Sequence, residues 1–332
     1  MRSIREVQTL PQTVEPSHSL ESSALELPLP TKLPVSVIVA AKNEARNLPV
    51  CLRSLGGVGE IYVVDSKSRD ETAEIASSFG AHVVQFEYGG GWPKKRQWAI
   101  DSLPLKYEWV LLLDADEALT PELASEIRSA VCNPGADGYY ISLDMFFLGK
   151  HLRHSGASFY KLCLFRRTKG RFECRTKDQD TSMCDMEVHE HVMVSGKCAR
   201  LKNSLLHRNV ESLARYIEKH NEYSNWEARV WNTAESTHEL RPAIWGSQAQ
   251  RRRWLRRNFF RLPGSPVLFF FFKYILRLGF LDGVPGLIYC GFQAVQFFHI
   301  KAKIYETRLA SQQVRLSRLC EFSKAEDFHV RH

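Results

Sequence analysis

The sequence predicts an α/β fold on an open mixed, mostly parallel sheet, and three observations carry that expectation. β-rich apolar runs alternate with short helical segments through the first half of the chain. Two of those runs close on carboxylates, at Asp65 and Asp114. The run Trp109-Val110-Leu111-Leu112-Leu113 is apolar without interruption, which suits a strand covered on both faces. Alternation at so short a period favours parallel pairing with helices on the faces of the sheet. A chain of 332 residues that is 44% hydrophobic can bury a sizeable core, which excludes wholesale disorder.

Taken in order, residues 1–32 mix Ser, Pro, Glu and scattered Leu without the apolar core of a signal peptide, and read as a flexible leader. Residues 34–41 are the first strand, and Asn43-Glu44-Ala45-Arg46-Asn47-Leu48 opens a helix expected to run through Leu55, closed by Gly56-Gly57. Residues 60–65 form the next strand, residues 68–78 an amphipathic helix with acidic residues in its first turn, and residues 81–86 a third strand. After the apolar run ending at Asp114, Thr120-Pro121-Glu122 starts a helix, with Thr as cap and Pro at the first helical position. Residues 139–207 look like an irregular α+β region, and a helical stretch follows over residues 210–236, with Tyr216, Tyr223 and Trp226 expected in packing roles. No repeat appears at the roughly 20 to 50 residue periods of solenoids.

The chemistry concentrates at Asp114-Ala115-Asp116. A bare Asp-x-Asp occurs on many solvated turns, but here the pair sits at the carboxyl end of a buried strand, the edge where open α/β sheets bind ligands. Two carboxylates there suit a hard divalent cation, Mg2+ or Mn2+, bridging to a diphosphate. Asp65 reads equally as a turn residue or as a carboxylate accepting ribose or base hydrogen bonds at the same edge. No Gly-x-Gly-x-x-Gly follows the first strand, which removes a dinucleotide fingerprint. The basic segment Trp92-Pro93-Lys94-Lys95-Arg96-Gln97-Trp98 reads either as a solvated surface or as an electrostatic contact to phosphates. His189 and His191 share a face if extended, so His191 is retained as an additional metal or diphosphate contact. The eight cysteines are dispersed without a C-x-x-C pair, so neither a zinc module nor a disulfide framework is expected.

Val37-Ile38-Val39-Ala40-Ala41-Lys42-Asn43-Glu44, Val63-Val64-Asp65-Ser66 and Leu112-Leu113-Asp114-Ala115-Asp116, in that order and spacing, resemble the family 2 inverting glycosyltransferases of the GT-A type over roughly residues 33–210. Within that family the chain is most similar to the bacterial lipopolysaccharide core β-glucosyltransferase type, through Val188-His189-Glu190, Gly196, Leu201-Lys202 and His207. The resemblance implies a nucleotide-diphospho-sugar donor, UDP-glucose being the nearest match, held by Ala41, Asn43, Glu44 and Asp65. Lys95 or Arg96 would lie near the phosphates, with Asp116 and Asp114 serving the cation. It also implies an acceptor-side carboxylate acting as general base. Glu190 is our choice, with Asp185 and Glu187 hard to separate from it on sequence alone.

The carboxyl region sets the location. Arg251-Arg252-Arg253-Trp254-Leu255-Arg256-Arg257-Asn258-Phe259-Phe260-Arg261 interleaves arginines with large apolar groups. With the formal net charge of +8, a nucleic-acid surface is the competing reading. The next residues decide against nucleic acid: residues 267–281 and 284–298 are apolar runs, each shorter than the roughly 20 residues a spanning helix needs. They suit in-plane helices on an anionic membrane, with Arg252, Arg253, Arg256 and Arg257 at headgroups and Phe269, Phe270 and Phe272 in the interface. A soluble helical lid burying Phe269 to Phe272 is the alternative. The expected parts are therefore the leader (1–32), a nucleotide-sugar-binding part (33–138), an acceptor-side part with a helical segment (139–240) and a membrane-associating extension (241–332). The setting is the cytoplasmic face of the inner membrane, with a lipid-linked or lipopolysaccharide-type glycan as acceptor and a homo-oligomer left open.

Overall fold

Residues Leu33–Ala41 form β1, whose side chains from Val35 onward are almost all buried on both faces, so that only a central position in a covered sheet accommodates them. The computed structural model describes residues 32–175, 184–187, 190–209, 212–232, 240–246 and 248–329. The leader expected over residues 1–32 falls almost entirely outside them, as do Val188 and His189. β2 (Val58–Asp65) and β4 (Trp109–Asp114) flank β1 in parallel, and β3 (His82–Gln85) continues the sheet beyond β2. In this register Ala41 lies opposite Asp65, and Ala40 opposite Asp114. Three strand ends are thereby aligned at one carboxyl edge.

The first helix is shorter than expected. α1 spans Leu48–Ser54, whereas Asn43 adopts a left-handed φ of 55° and the amides that follow leave the helical pattern. The N–H groups of Asn43, Glu44 and Ala45 donate to Ser68 Oγ, Thr72 Oγ1 and Asp70 Oδ2 at 2.8, 2.8 and 3.1 Å. Side chains of the β2–α2 turn thus capture the donors that a helix start would have left unpaired, and α2 itself begins only at Thr72 and ends at Ser78. The start of α4 (Pro121–Cys132) agrees with expectation, since Thr120 Oγ1 accepts from Leu123 N at 3.1 Å with Pro121 at the first turn.

Beyond β4 the sheet departs from the mostly parallel expectation. β8 (Tyr160–Arg166) lies between β4 and β6 (Gly138–Phe147) and is antiparallel to both. β11 (Cys198–Asn209) runs parallel to β6, and β5 (Glu117–Ala118) closes the edge antiparallel to β11. Among the described residues four strand pairings are parallel and five antiparallel. The cause is local: β6 alternates buried and half-buried side chains with period two, as a strand does, and Leu148 and Gly149, with φ 49° and 76°, turn it back into β7 (Lys150–His151). Among the described residues of 139–207 there is no helix, only strands and turns, including β9 (Gly170–Phe172) paired with β10 (Val192–Val194).

The carboxyl region is helical. α5 (Leu213–Asn232), α6 (Gln248–Arg261) and α7 (Ser265–Phe271) lead into a π-helical turn over Phe272–Leu276, a short 3-10 turn over Gly279–Asp282 and the long α8 (Gly283–His329). A Cβ on Gly286 would stand 2.3 Å from Gly279 O, so the segment from Gly279 to Gly286 folds back on itself through a contact only glycine permits. Asp282, 2% exposed, accepts from Arg153 N, His154 N and Ser155 Oγ, each at 3.1 Å, and clasps this turn to the β7–β8 loop. Asp282→Ala is expected to cost about 2–4 kcal/mol, because buried donors lose a charged acceptor. Thermal unfolding would then show a midpoint lower by roughly 5–10 °C, with a smaller fall for Asp282→Asn. An unchanged midpoint would remove the clasp.

On the outside of this region Val267, Phe271, Leu276 and Val284 are 59, 54, 74 and 68% exposed. Phe269 packs on Phe297 with ring centroids 4.2 Å apart, whereas Phe272 is 44% exposed, so the phenylalanine run is not buried as a closed lid would require. Among the described residues, no helix is long and apolar enough to cross a membrane.

Candidate functional site

The aligned ends of β1 and β4 open into a cavity of about 1120 Å³, with walls supplied by the sheet edge, the β8 strand and the C-terminal helices. Ala41, Glu44, Lys95, Arg96, Asp114 and Asp116 all line it. Asp65 is 1% exposed and saturated from within the chain: Ser68 N and Oγ donate to it, as does Gln85 Nε2 at 2.9 Å. Asn43 shapes the loop beside it, its Oδ1 accepting from Arg69 N at 2.8 Å. Glu44 is bound by Asn47 Nδ2 and by Lys219 Nζ of α5, each at 2.7 Å. Burial raises its carboxyl above the ordinary value despite Lys219.

The basic segment before β4 is almost wholly internal. α3 (Lys95–Ser102) starts there because the Glu187 carboxylate receives the N–H groups of Arg96 and Gln97 at 3.1 and 2.9 Å. Lys95 Nζ donates to Ala41 O at 3.0 Å and lies 3.2 Å from Asp185; burial depresses its pKa. Arg96 reaches Glu187 O at 2.7 Å and pairs with Asp114. A surface reading of these charges is therefore excluded by their burial, with Lys94 and Lys95 no more than 1% exposed.

The turn after β4 is the electrostatic centre. Asp114 pairs with Arg96 on one oxygen and with Lys161 of β8 at 3.1 Å on the other. Burial opposes the charged form, but these two cations prevail and hold the carboxyl well below the usual carboxylate range. Lys161 also pairs with Glu117 at 2.9 Å. Strand pairing sets His207 of β11 opposite Glu117 of β5, and His207 Nε2 comes 3.3 Å from Asp116 Oδ2. Burial would lower the imidazole pKa, yet Asp116 outweighs it and raises the group to about 9. The Asp116 carboxyl is lowered in turn, with burial opposing and His207 prevailing.

Farther along the wall, Glu190 pairs with Lys94 at 3.2 Å, both side chains fully buried, and Lys94 sits 4.5 Å over the Trp226 ring. His191 also lines the cavity, but its backbone N–H donates to Glu173 Oε1 at 3.0 Å, and burial pushes its ring down to about 4. Arg253 grips the same Glu173 at 2.5 and 2.9 Å, and Arg256 lies 3.4 Å from Glu227. Arg252 and Arg257 also reach the cavity lining. The arginines expected at a membrane surface thus line the cavity, two of them tied to carboxylates.

Lys161, Glu117, Lys219 and Lys94 carried no sequence signal for these roles, and His207 had only its place in a motif. Their partners lie far along the chain, apart from Glu117, which directly follows the acidic pair.

Asp116 and His207 form an ion pair, so the imidazole must give up its proton before the two could hold a divalent cation. Among the described residues no group of three or more His, Cys, Asp or Glu side chains is arranged for a metal ion. A site with two protein ligands suits Mg2+ or Mn2+, which keep waters and take substrate phosphate oxygens for the rest. The described cysteines whose disulfide state is defined are free and offer no competing soft site.

A family model described as glycosyl transferase family 2 matches residues 36–192. The chain is similar to the lipopolysaccharide core biosynthesis glycosyltransferase LpsC of Rhizobium meliloti (strain 1021), 27% identical over 284 residues, covering 83% of this chain and 93% of that protein. It is similar also to an uncharacterized glycosyltransferase of Rickettsia conorii, 26% identical, with 84 and 93% covered. Among solved structures, S. aureus TarS 1–349 in complex with UDP-GlcNAc aligns at a TM-score of 0.38 and 14% identity, over 83% of this chain and 92% of that one.

Proposed function

We propose that the chain, which a family 2 glycosyl transferase model matches over residues 36–192, moves a hexosyl group, with inversion, from a nucleotide-diphospho-sugar to a membrane-associated glycan of the lipopolysaccharide core type. One observation carries the reading: Asp114, Asp116 and His207 meet at the carboxyl edge of a mixed α/β sheet, in a cavity roomy enough for a donor and the end of an acceptor. The similarity to LpsC supports the acceptor class.

In this reading Asp116 and His207 hold the cation. A bound Mg2+ or Mn2+ supplies Lewis acidity to the departing diphosphate. Asp114 is fixed by Arg96 and Lys161, so the donor's phosphates meet a preorganised edge rather than mobile side chains. The loop from Ala41 to Glu44, braced by the Asp65 turn through Ser68, receives the nucleoside, with UDP-glucose as the first donor to test. Glu190 takes the proton of the acceptor hydroxyl as the new glycosidic bond forms and the diphosphate departs from the opposite face.

The exposed apolar side chains of α7, the π-helical turn and α8 support peripheral attachment at the inner membrane's cytoplasmic face. The experiment pairs a panel of labelled nucleotide sugars with bacterial membrane extract. Label is expected to enter the lipid-linked fraction from one UDP-sugar, and the protein to sediment with anionic vesicles at low salt. Saturable donor binding without transfer to any extract would convert the reading to a glycan-binding scaffold. Transfer into polyprenyl-linked material alone would move the acceptor class.

A further inference from the structure

Lys273 stands in the π-helical turn between α7 and α8, a local geometry that recurs where a side chain must be re-aimed. It lines the cavity but is only 7% exposed, and its partners are Gln293 Oε1 at 3.5 Å and the rings of Tyr289 and Phe269, 4.8 and 5.4 Å from Nζ. No carboxylate pairs with it among the described residues. Burial, with the nearby Arg277 charge adding to it, drags the ammonium down to about 8. A residue serving only to fill this space would be apolar, because ring faces and one amide oxygen replace only part of the hydration a buried cation loses.

A second cation reaches the same wall. The Arg256 guanidinium lies over the rings of Phe260 and Phe297, with Nη1 3.4 Å from Glu227 and Nε buried without a hydrogen-bond partner, and Phe297 stacks on the Phe269 ring that Lys273 covers. Around Lys273 the lining is aromatic and polar: the edges of Tyr289 and Phe147, which pack on each other, border it, and Gln293 bonds to the Tyr216 hydroxyl at 3.4 Å.

We propose that this wall, centred on Lys273 with Arg256 across the Phe269–Phe297 stack, is an acceptor subsite for an oxyanion, a phosphate or carboxylate carried by the glycan. The subsite rests on the glycosyltransferase reading and specifies its acceptor as negatively charged. The anion restores the counter-charge that Lys273 lacks, and the aromatic lining seats the sugar that bears it.

The test uses the full chain saturated with UDP and Mg2+, so that the donor's phosphate contacts are occupied. Calorimetric titrations with glucose 6-phosphate, glucuronate and glucose then read the subsite. At least one anionic sugar is expected to bind ten-fold or more tighter than glucose. Lys273→Met is expected to lose that preference while folding at least as stably as wild type, and Lys273→Arg to keep most of it. If the Met variant fails to fold, Lys273→Gln serves the same comparison. Equal affinity for glucose and both anionic sugars, or an undiminished preference in the neutral variants, overturns the proposal. Lys273-dependent displacement of the sugar phosphate by phosphatidylglycerol vesicles, and not by phosphatidylcholine vesicles, overturns the glycan assignment in favour of a lipid headgroup. UDP binding is measured first and is expected to be equal in all variants. Wild-type protein that binds the anionic sugar but not UDP would defeat the donor reading instead.

Discussion

Asp116→Asn is expected to lower metal-dependent sugar transfer by about 100-fold or more, since partners one step removed from a metal already account for 10–100-fold effects. The fold should survive, because Asp116 contributes one ion pair, to His207, and the amide keeps its size. Asp114→Asn should behave differently. Its carboxylate neutralises both Arg96 and Lys161, so its loss leaves two buried cations short of charge, and the unfolding midpoint should fall further than for Asp116→Asn. Transfer measured across Mg2+ and Mn2+ titrations, with thermal unfolding in parallel, separates the two effects. Full activity in the folded double variant, or undiminished transfer after rigorous metal removal, would defeat the cation assignment.

Glu190→Gln is expected to suppress turnover by roughly 100-fold or more at unchanged donor affinity, the range of general-base contributions. The structure adds a second consequence. Glu190 is the buried counter-charge of Lys94, and removing one member of such a pair costs about 3–5 kcal/mol. The double variant Lys94→Met with Glu190→Gln should recover stability without recovering turnover. If stability and turnover return together, Glu190 is a structural partner and not the base. Glu187→Gln is a comparison with a distinct signature, because it loosens the start of α3 and should lower stability first. Asp185, paired with Lys95 at 3.2 Å, completes the set. Turnover lost only in a folded Asp185 variant would move the proton to that residue.

The elements legible in the sequence are those whose cause is short-range. An unbroken apolar run made β4 a covered central strand, and Thr120 with Pro121 marked the start of α4. The carboxylates at Asp114 and Asp116 could be placed at a sheet edge because strand direction follows from βαβ order. The overextended helix at Asn43 shows where this reasoning stops: its donors are taken by Ser68, Asp70 and Thr72, side chains of another turn, and no local preference reveals that.

Strand polarity beyond β4 was equally hidden, since a short Leu148-Gly149 turn and the insertion of β8 between β4 and β6 decide it. The arginines of α6 show the same limit. Their amphipathic spacing is compatible with a membrane surface, and only packing against Glu173 and Glu227 turns Arg253 and Arg256 inward.

The sequence by itself determined an α/β sheet with an acidic turn at its edge, because burial pattern and capping act within a few residues. The tertiary structure alone decided which groups complete that turn. Lys161 and His207 arrive from strands far along the chain, and Lys94 meets Glu190 across nearly a hundred residues. Such pairs are set by strand register and by the cost of leaving a buried charge unpaired, and both are properties of the folded whole rather than of any segment.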